Sequence, residues 1–501
     1  METNTDRTAP FTGNEYLDGL RDGREVLIHG ECVADVTTHP AFRNSARSVA
    51  HLYDAMHAAT ADGVLSVETD TGSGGWTHPM FRAARSGADL LRQRDSVAAW
   101  ARLSYGWLAR TPDYKAGFAS TLAHTAEFYG DFASSARRWY RIAQESCLYL
   151  NHTFVDLPRD RDSAAAGPDT AVRVVAERDG GIVVSGAKMV ATNAALTSHN
   201  LVSSLRGTPQ DEPERALCFM IAMNAPGVKT ICRPSFEAIA RRAGTPFDYP
   251  LSSRFDENDA LVVMQDVFVP WEDVLIYRDP QRLAQWPRCG HTQNMMLQGC
   301  TRLAVKLDFL IGCVVEALKT TGKASSPAVR ATVGELIGWR DMVWAMSSAM
   351  VGDPTQVADG AVLPNSRTSM AFRLLSQTLY PRIRNTINTL LASTLIVQPS
   401  GSQDWHNADM RLLLDVYYRG PGDRTAQQQN KIVRLLWDAT QTEFGSRHDL
   451  FERTYYGSNE VVRLSQFGSA EADGTLAAAK ELVDACLDDY DLDGWTVAHL
   501  K

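Results

Sequence analysis

The chain has 501 residues, 44% of them hydrophobic and 22% charged, with a formal net charge of −9. That is the composition of a globular protein with a sizeable core, and the acidic balance argues against nucleic acid or an anionic membrane as the main partner. The eight cysteines include no C-x-x-C pair and the histidines show no ligand spacing, so neither a disulfide frame nor a metal site is expected.

The opening segment, "METNTDRTAPFTG", has acidic residues and no apolar stretch, so no secretory signal is expected. The most apolar run, "LDFLIGCVVEALK", is broken by Asp308 and Glu316, which argues against a membrane span and for a cytoplasmic protein. Up to about residue 154 the apolar spacing is helical, as in "HPAFRNSARSVAHLYDAMH" and "RDSVAAWARLSYGWLAR". From 155 to 280 it alternates. "AVRVVAERDGGIVVSGAKMVA" reads as a hairpin about Asp179-Gly180-Gly181, followed by the strand candidates "ALCFMIAMNA" and "ALVVMQDVFVPWEDVLIY". From 281 to 501 helical periodicity returns, visibly from Thr301. Four long amphipathic segments there predict a helix bundle. No G-x-G-x-x-G follows a strand and no P-loop occurs, so the chain offers no dinucleotide site of its own.

At "YPLSSRFDENDALVVMQDVFVPWEDVLIYRD", Tyr249 to Asp279, the sequence resembles the 4-hydroxyphenylacetate 3-monooxygenase family, the large oxygenase components of two-component hydroxylases. The likeness runs nearly full length, through "FTGNEYLDGLRDGREVLIHGE", "KMVATNAALTSHN" and "CTRLAVKLDF". It is especially marked for members that hydroxylate a tyrosine-derived ring in enediyne antibiotic biosynthesis. The resemblance implies an α+β, acyl-CoA dehydrogenase-like fold: an N-terminal helical domain, a middle β-barrel and a C-terminal four-helix bundle, usually as a homotetramer. It also implies FAD, delivered as FADH2 by a separate flavin reductase, and O2 as co-substrate. The ring would be hydroxylated ortho to its hydroxyl through a C4a-hydroperoxyflavin.

Matched to the family's R-T/S-P-D-Y motif and downstream histidine, the residues around the phenol are Arg110, Tyr114 and His152. The chemistry suits them. A phenol near pKa 10 is mostly neutral at pH 7, whereas its phenolate is the better nucleophile. Arg110 supplies a permanent charge, Tyr114 a hydrogen bond, and His152 a group that titrates near neutrality. For the flavin the resemblance points to His152, Thr153 and Phe154, to Pro158, Arg159, Asp160 and Arg161, to Thr192, and to Gly457, Ser458 and Asn459. Asn193 stands where family members commonly have glycine, and asparagine tolerates the same left-handed turn. Ser203 and Ser204 fall where the family touches the substrate's tail. The expected substrate is a β-tyrosine-type ring on a peptidyl carrier protein. The alternatives are a catabolic hydroxylase of free 4-hydroxyphenylacetate and an acyl-CoA dehydrogenase-type oxidoreductase, for whose glutamate base no motif is present.

Overall fold

The computed structural model describes residues 7–58, 63–158, 170–204, 208 and 210–501. The first part is mainly helical, with Arg43–Ala58, Gly87–Leu103, Pro112–Ala119 and Ala133–Ser146 as its principal helices. In Arg43–Ala58 the buried residues Ala46, Val49, Ala50, Tyr53 and Met56 recur at three- and four-residue spacing, so one stripe faces the core. Ala133–Ser146 ends at Cys147, whose left-handed φ of 48° turns the chain into the strand Leu150–Thr153.

Two sheets follow. The larger runs in the order Glu31–Cys32, Glu25–Ile28, Val228–Cys232, Asp259–Pro270, Gly181–Thr192, Val155–Asp156, with Arg173–Arg178 also paired to Gly181–Thr192. The smaller runs Val274–Tyr277, Leu217–Ala222, His199–Val202, Leu150–Thr153. Val174, Ile182, Val184, Val262 and Val267 of the first share an apolar core with Val202, Leu217, Phe219 and Val274 of the second. The hairpin is closed by Asp179 and Gly180, with Arg178 opposite Gly181 and Gly180 at φ 85°. Three strands of these sheets come from outside the alternating stretch, the third being Glu31–Cys32 beside Glu25–Ile28. Glu25–Ile28 pairs in parallel with Val228–Cys232, and Leu150–Thr153 in parallel with His199–Val202.

In the C-terminal part, His291–Thr320, Pro327–Gly352, Ser366–Leu391 and Ala426–Thr440 pack as a bundle. His291–Thr320 is its central helix, buried from Met296 through Leu307. It begins well before Thr301, where periodicity first shows. Its early turns bury polar groups rather than an apolar stripe: Asn294 Nδ2 donates to the Gly117 carbonyl at 3.0 Å and Gln298 Nε2 to Asp113 at 3.3 Å. The order is helix, sheet, helix: an α+β, acyl-CoA dehydrogenase-like fold. Among the described residues no helix is long and apolar enough to cross a membrane.

Candidate active site

Thr111 precedes a proline and is extended, with φ −73° and ψ 162°, while Pro112 opens the helix Pro112–Ala119, where its missing N–H is no loss. A side chain in the first helical turn leans back toward the N-terminus. Tyr114 meets Arg110 in this way, with the guanidinium carbon 4.0 Å from its ring centroid. His152 arrives from the strand Leu150–Thr153, its ring centroid 6.4 Å from that of Tyr114 and inclined by 24°. Arg110 and Tyr114 are buried and His152 is half-buried. The three residues therefore form one cluster.

A fourth member was not evident from sequence. Tyr455 caps the end of the helix Glu443–Thr454. Its ring lies 3.0 Å from the Arg110 guanidinium carbon, and its hydroxyl is 3.0 Å from His152 Nε2. The signal in the chain is the paired tyrosine of "FERTYYGSNE", directly before Gly457.

The "SSRFDENDA" string holds this cluster in register. Glu257 Oε1 accepts the amides of Ala109, at 2.7 Å, and Arg110, while its other oxygen meets Arg447 at 3.2 Å. Asp259 takes the Thr192 hydroxyl at 2.7 Å and two bonds from Arg447. Arg447 lies on the helix that ends at Tyr455, so two carboxylates tie that helix to both the Arg110 loop and the Thr192 strand end. Behind it, Glu452 receives both terminal nitrogens of Arg302 and, at 3.1 Å, Lys306. All three of these side chains are buried.

Burial dominates the electrostatics. It brings the Arg110 guanidinium down to about 10 and raises the Tyr114 phenol against the pull of the Arg110 charge. It also holds the His152 imidazole well below its usual range, helped by the charges of Lys115 and Arg110. His152 is thus neutral at pH 7. Arg110 Nε and Nη2 and His152 Nδ1 have no hydrogen-bond partner among the described residues. Buried polar atoms rarely stay unmatched, and these suit a ligand with acceptor and hydroxyl groups.

The other expected residues are placed variously. Asn193 adopts φ 61°, donates to the Tyr149 hydroxyl at 2.9 Å, and keeps Oδ1 unmatched among the described residues. Tyr149 in turn donates to the Arg110 carbonyl, which links the Thr192–Asn193 turn to the cluster. Thr153 is buried and accepts from Asn200, and Phe154 packs 4.3 Å from the His152 ring. Ser203 and Ser204 are buried one strand away: Ser203 N donates to the Thr153 carbonyl at 3.2 Å and its hydroxyl to the Leu217 carbonyl at 3.3 Å. Gly457 has φ 116°, and its carbonyl accepts from Gln377. The Ser458 oxygen caps the helix Asn459–Ala472, so that hydroxyl is engaged within the chain. Pro158 is exposed, and Arg159, Asp160 and Arg161 lie outside the described residues.

Residues 12–276 match the 4-hydroxyphenylacetate 3-hydroxylase N-terminal family and residues 283–484 its C-terminal counterpart. The chain belongs to the 4-hydroxyphenylacetate 3-hydroxylase family. It is 50% identical to the 4-hydroxyphenylacetate 3-monooxygenase oxygenase component of Pseudomonas aeruginosa, over 98% of this chain and 95% of that one. Identity is 44% to a Streptomyces globisporus monooxygenase named for a 3-amino-3-(3-chloro-4-hydroxyphenyl)propanoyl group on a peptidyl carrier protein, over 99% of this chain and 94% of that one. The crystal structure of a 4-hydroxyphenylacetate 3-monooxygenase oxygenase component with FAD and 4-hydroxyphenylacetate superposes with a TM-score of 0.86 at 28% identity, covering 95% of this chain and 99% of the other.

Proposed function

We propose that this member of the hydroxylase family is a flavin-dependent aromatic monooxygenase that hydroxylates a phenol ortho to its hydroxyl. It uses FAD as FADH2 from a separate reductase, together with O2. The observation that carries the reading is the meeting of Arg110, Tyr114 and His152 with the unmatched nitrogens on Arg110 and His152. The unmatched Asn193 Oδ1 beside Thr192 fits the edge of a flavin ring, which carries both donors and acceptors. His152, Thr153, Phe154, Pro158, Arg159, Asp160, Arg161, Thr192, Gly457, Ser458 and Asn459 are assigned to hold the cofactor, and Ser203 and Ser204 the substrate's tail. When bound, the reduced flavin supplies, with O2, an electrophilic oxygen atom.

The chain's own residues prepare the ring. Tyr455 engages His152 Nε2, which leaves Nδ1 to take the proton of the ring hydroxyl. Arg110 opposes the charge left on the ring oxygen, and Tyr114 donates to it. The protein acts in the cytoplasm as a homotetramer. Exposed apolar residues on Asn459–Ala472 and Thr475–Asp488, among them Leu464, Phe467 and Leu482, support burial of those helices against another copy.

The substrate is a β-tyrosine-type ring on a peptidyl carrier protein, in an antibiotic pathway of the enediyne kind. The 44% identity to the Streptomyces globisporus enzyme supports this. The 50% identity to the Pseudomonas aeruginosa enzyme favours a second reading, in which free 4-hydroxyphenylacetate is hydroxylated. A side-by-side assay of one ring, free and carrier-bound, separates them. Remote binding energy raises turnover as well as affinity, so the tethered form should be turned over faster. Equal efficiency on the free acid rejects the carrier reading.

A further inference from the structure

All eight residues of the helix Pro112–Ala119 are buried. A helix buried all round is ordinarily apolar, yet this one carries two charged side chains. Asp113 is matched: it accepts from the Thr111 hydroxyl and from Gln298 Nε2. Lys115 is not. Only 3% of it is exposed, and its Nζ has no hydrogen-bond partner among the described residues. That nitrogen lies 4.1 Å from the centroid of the Tyr114 ring, the same ring that Arg110 approaches at 4.0 Å. The charged and titratable groups facing Lys115 are Arg110, Glu257, Tyr114 and His152. Glu257, the sole anion among them, is already bound to two amides and Arg447. A buried ammonium without a partner is costly. Lys115 can hold its proton only when an anion joins the site.

We infer that Lys115 is a further residue of the phenol site, whose Nζ holds the proton released by the ring hydroxyl and sets the resulting ammonium against the phenolate. The inference rests on the reading of the cluster as a phenol site. In the step, the ring O–H bond breaks, its electron pair stays on oxygen, and an N–H bond forms at Nζ, with His152 as the relay. No oxidant or further reactant is involved. Before the phenol arrives, burial and the Arg110 charge keep the Lys115 amine well below its usual range. An opposite charge within about 4–6 Å moves a pKa by about 1–3 units, so a phenolate restores the ammonium. The two groups then ionise as a pair. His152 is a poor place for the proton to rest, because desolvation and the nearby Arg110 charge disfavour the imidazolium.

The test uses the full-length protein without reductase, so that nothing turns over. 4-Nitrophenol is the probe, because its visible band reports the phenolate. In the wild type that band should persist to a pH about one unit or more below where Lys115→Met loses it. Lys115→Arg, which keeps a charge, should recover most of the difference. Coincident pH profiles for wild type and Lys115→Met overturn the inference. Failure of the probe to bind the wild type is a different outcome, which rejects the phenol-site reading and the inference with it. A second measurement needs no variant. Calorimetry of the wild type at pH 7, in two buffers of different ionisation heat, counts the protons exchanged on binding. About half of free 4-nitrophenol is already ionised at pH 7, so the phenolate band appearing with net proton uptake supports Lys115 as the acceptor, and net proton release contradicts it.

Discussion

The Tyr455 hydroxyl lies 3.0 Å from His152 Nε2, so a helix end in the C-terminal bundle and a strand of the smaller sheet meet in one hydrogen bond. That bond fixes which imidazole nitrogen remains available to the ring hydroxyl. Tyr455→Phe removes it while keeping the ring over Arg110. A typical hydrogen bond contributes about 0.5–1.5 kcal/mol, so turnover should fall up to about tenfold with flavin affinity unchanged. Steady-state rates beside a flavin titration check this, and an unaltered rate would show that the bond plays no part.

Arg110→Ala and His152→Ala should separate ring chemistry from oxygen consumption. Both side chains act on the ring hydroxyl, and loss of a stabilising group of this kind costs about 10²–10³-fold in rate. Oxidation of reduced flavin by O2 should continue and appear as hydrogen peroxide. Product chromatography with a peroxide assay reads both, and near-normal product from either variant contradicts the mechanism.

Some of this was legible in the chain and some was not, for physical reasons. Arg110 and Tyr114 sit across a Thr-Pro helix start, a local geometry that five residues specify. The hairpin at Asp179-Gly180 is equally local. The strand Glu25–Ile28 was hidden because four residues cannot display an alternation, and its partner Val228–Cys232 is distant in sequence. Tyr455 was hidden because its role exists only after the bundle has folded against the sheet. Lys115 could not be singled out locally, since nothing in the neighbouring sequence shows that its helix is buried on every side.

Asn193 makes a turn with φ 61°. Asn193→Gly should keep the turn and lose only the bond to Tyr149. Asn193→Val, a branched side chain in a left-handed position, should cost about 1–2 kcal/mol. Denaturant melts of the two variants check the order. Equal stability would mean the turn relaxes to another conformation.

Acid should weaken the protein through Glu452. Its carboxyl is brought down from an ordinary 4.5 to about 2: burial acts against this, but the charges of Arg302 and Lys306 outweigh it. The unfolded chain therefore binds the proton more readily. The contribution is complete above about pH 4.5 and is lost as the pH falls through about 2. Glu452→Gln should flatten that window and lower stability by about 3–5 kcal/mol, because two buried cations lose their partner. Melting temperature against pH for both proteins is the check, and parallel curves would contradict it.

The central claim is that this chain places oxygen from O2 on a phenol ring when given reduced flavin, and needs no nicotinamide cofactor of its own. The direct measurement mixes the purified protein with chemically reduced FAD, a 4-hydroxyphenyl substrate and isotopically labelled O2, then weighs the product. The expected product is a catechol carrying one labelled oxygen, with none formed when NADH replaces reduced FAD. An unlabelled catechol, or robust product from NADH with this chain alone, would contradict it.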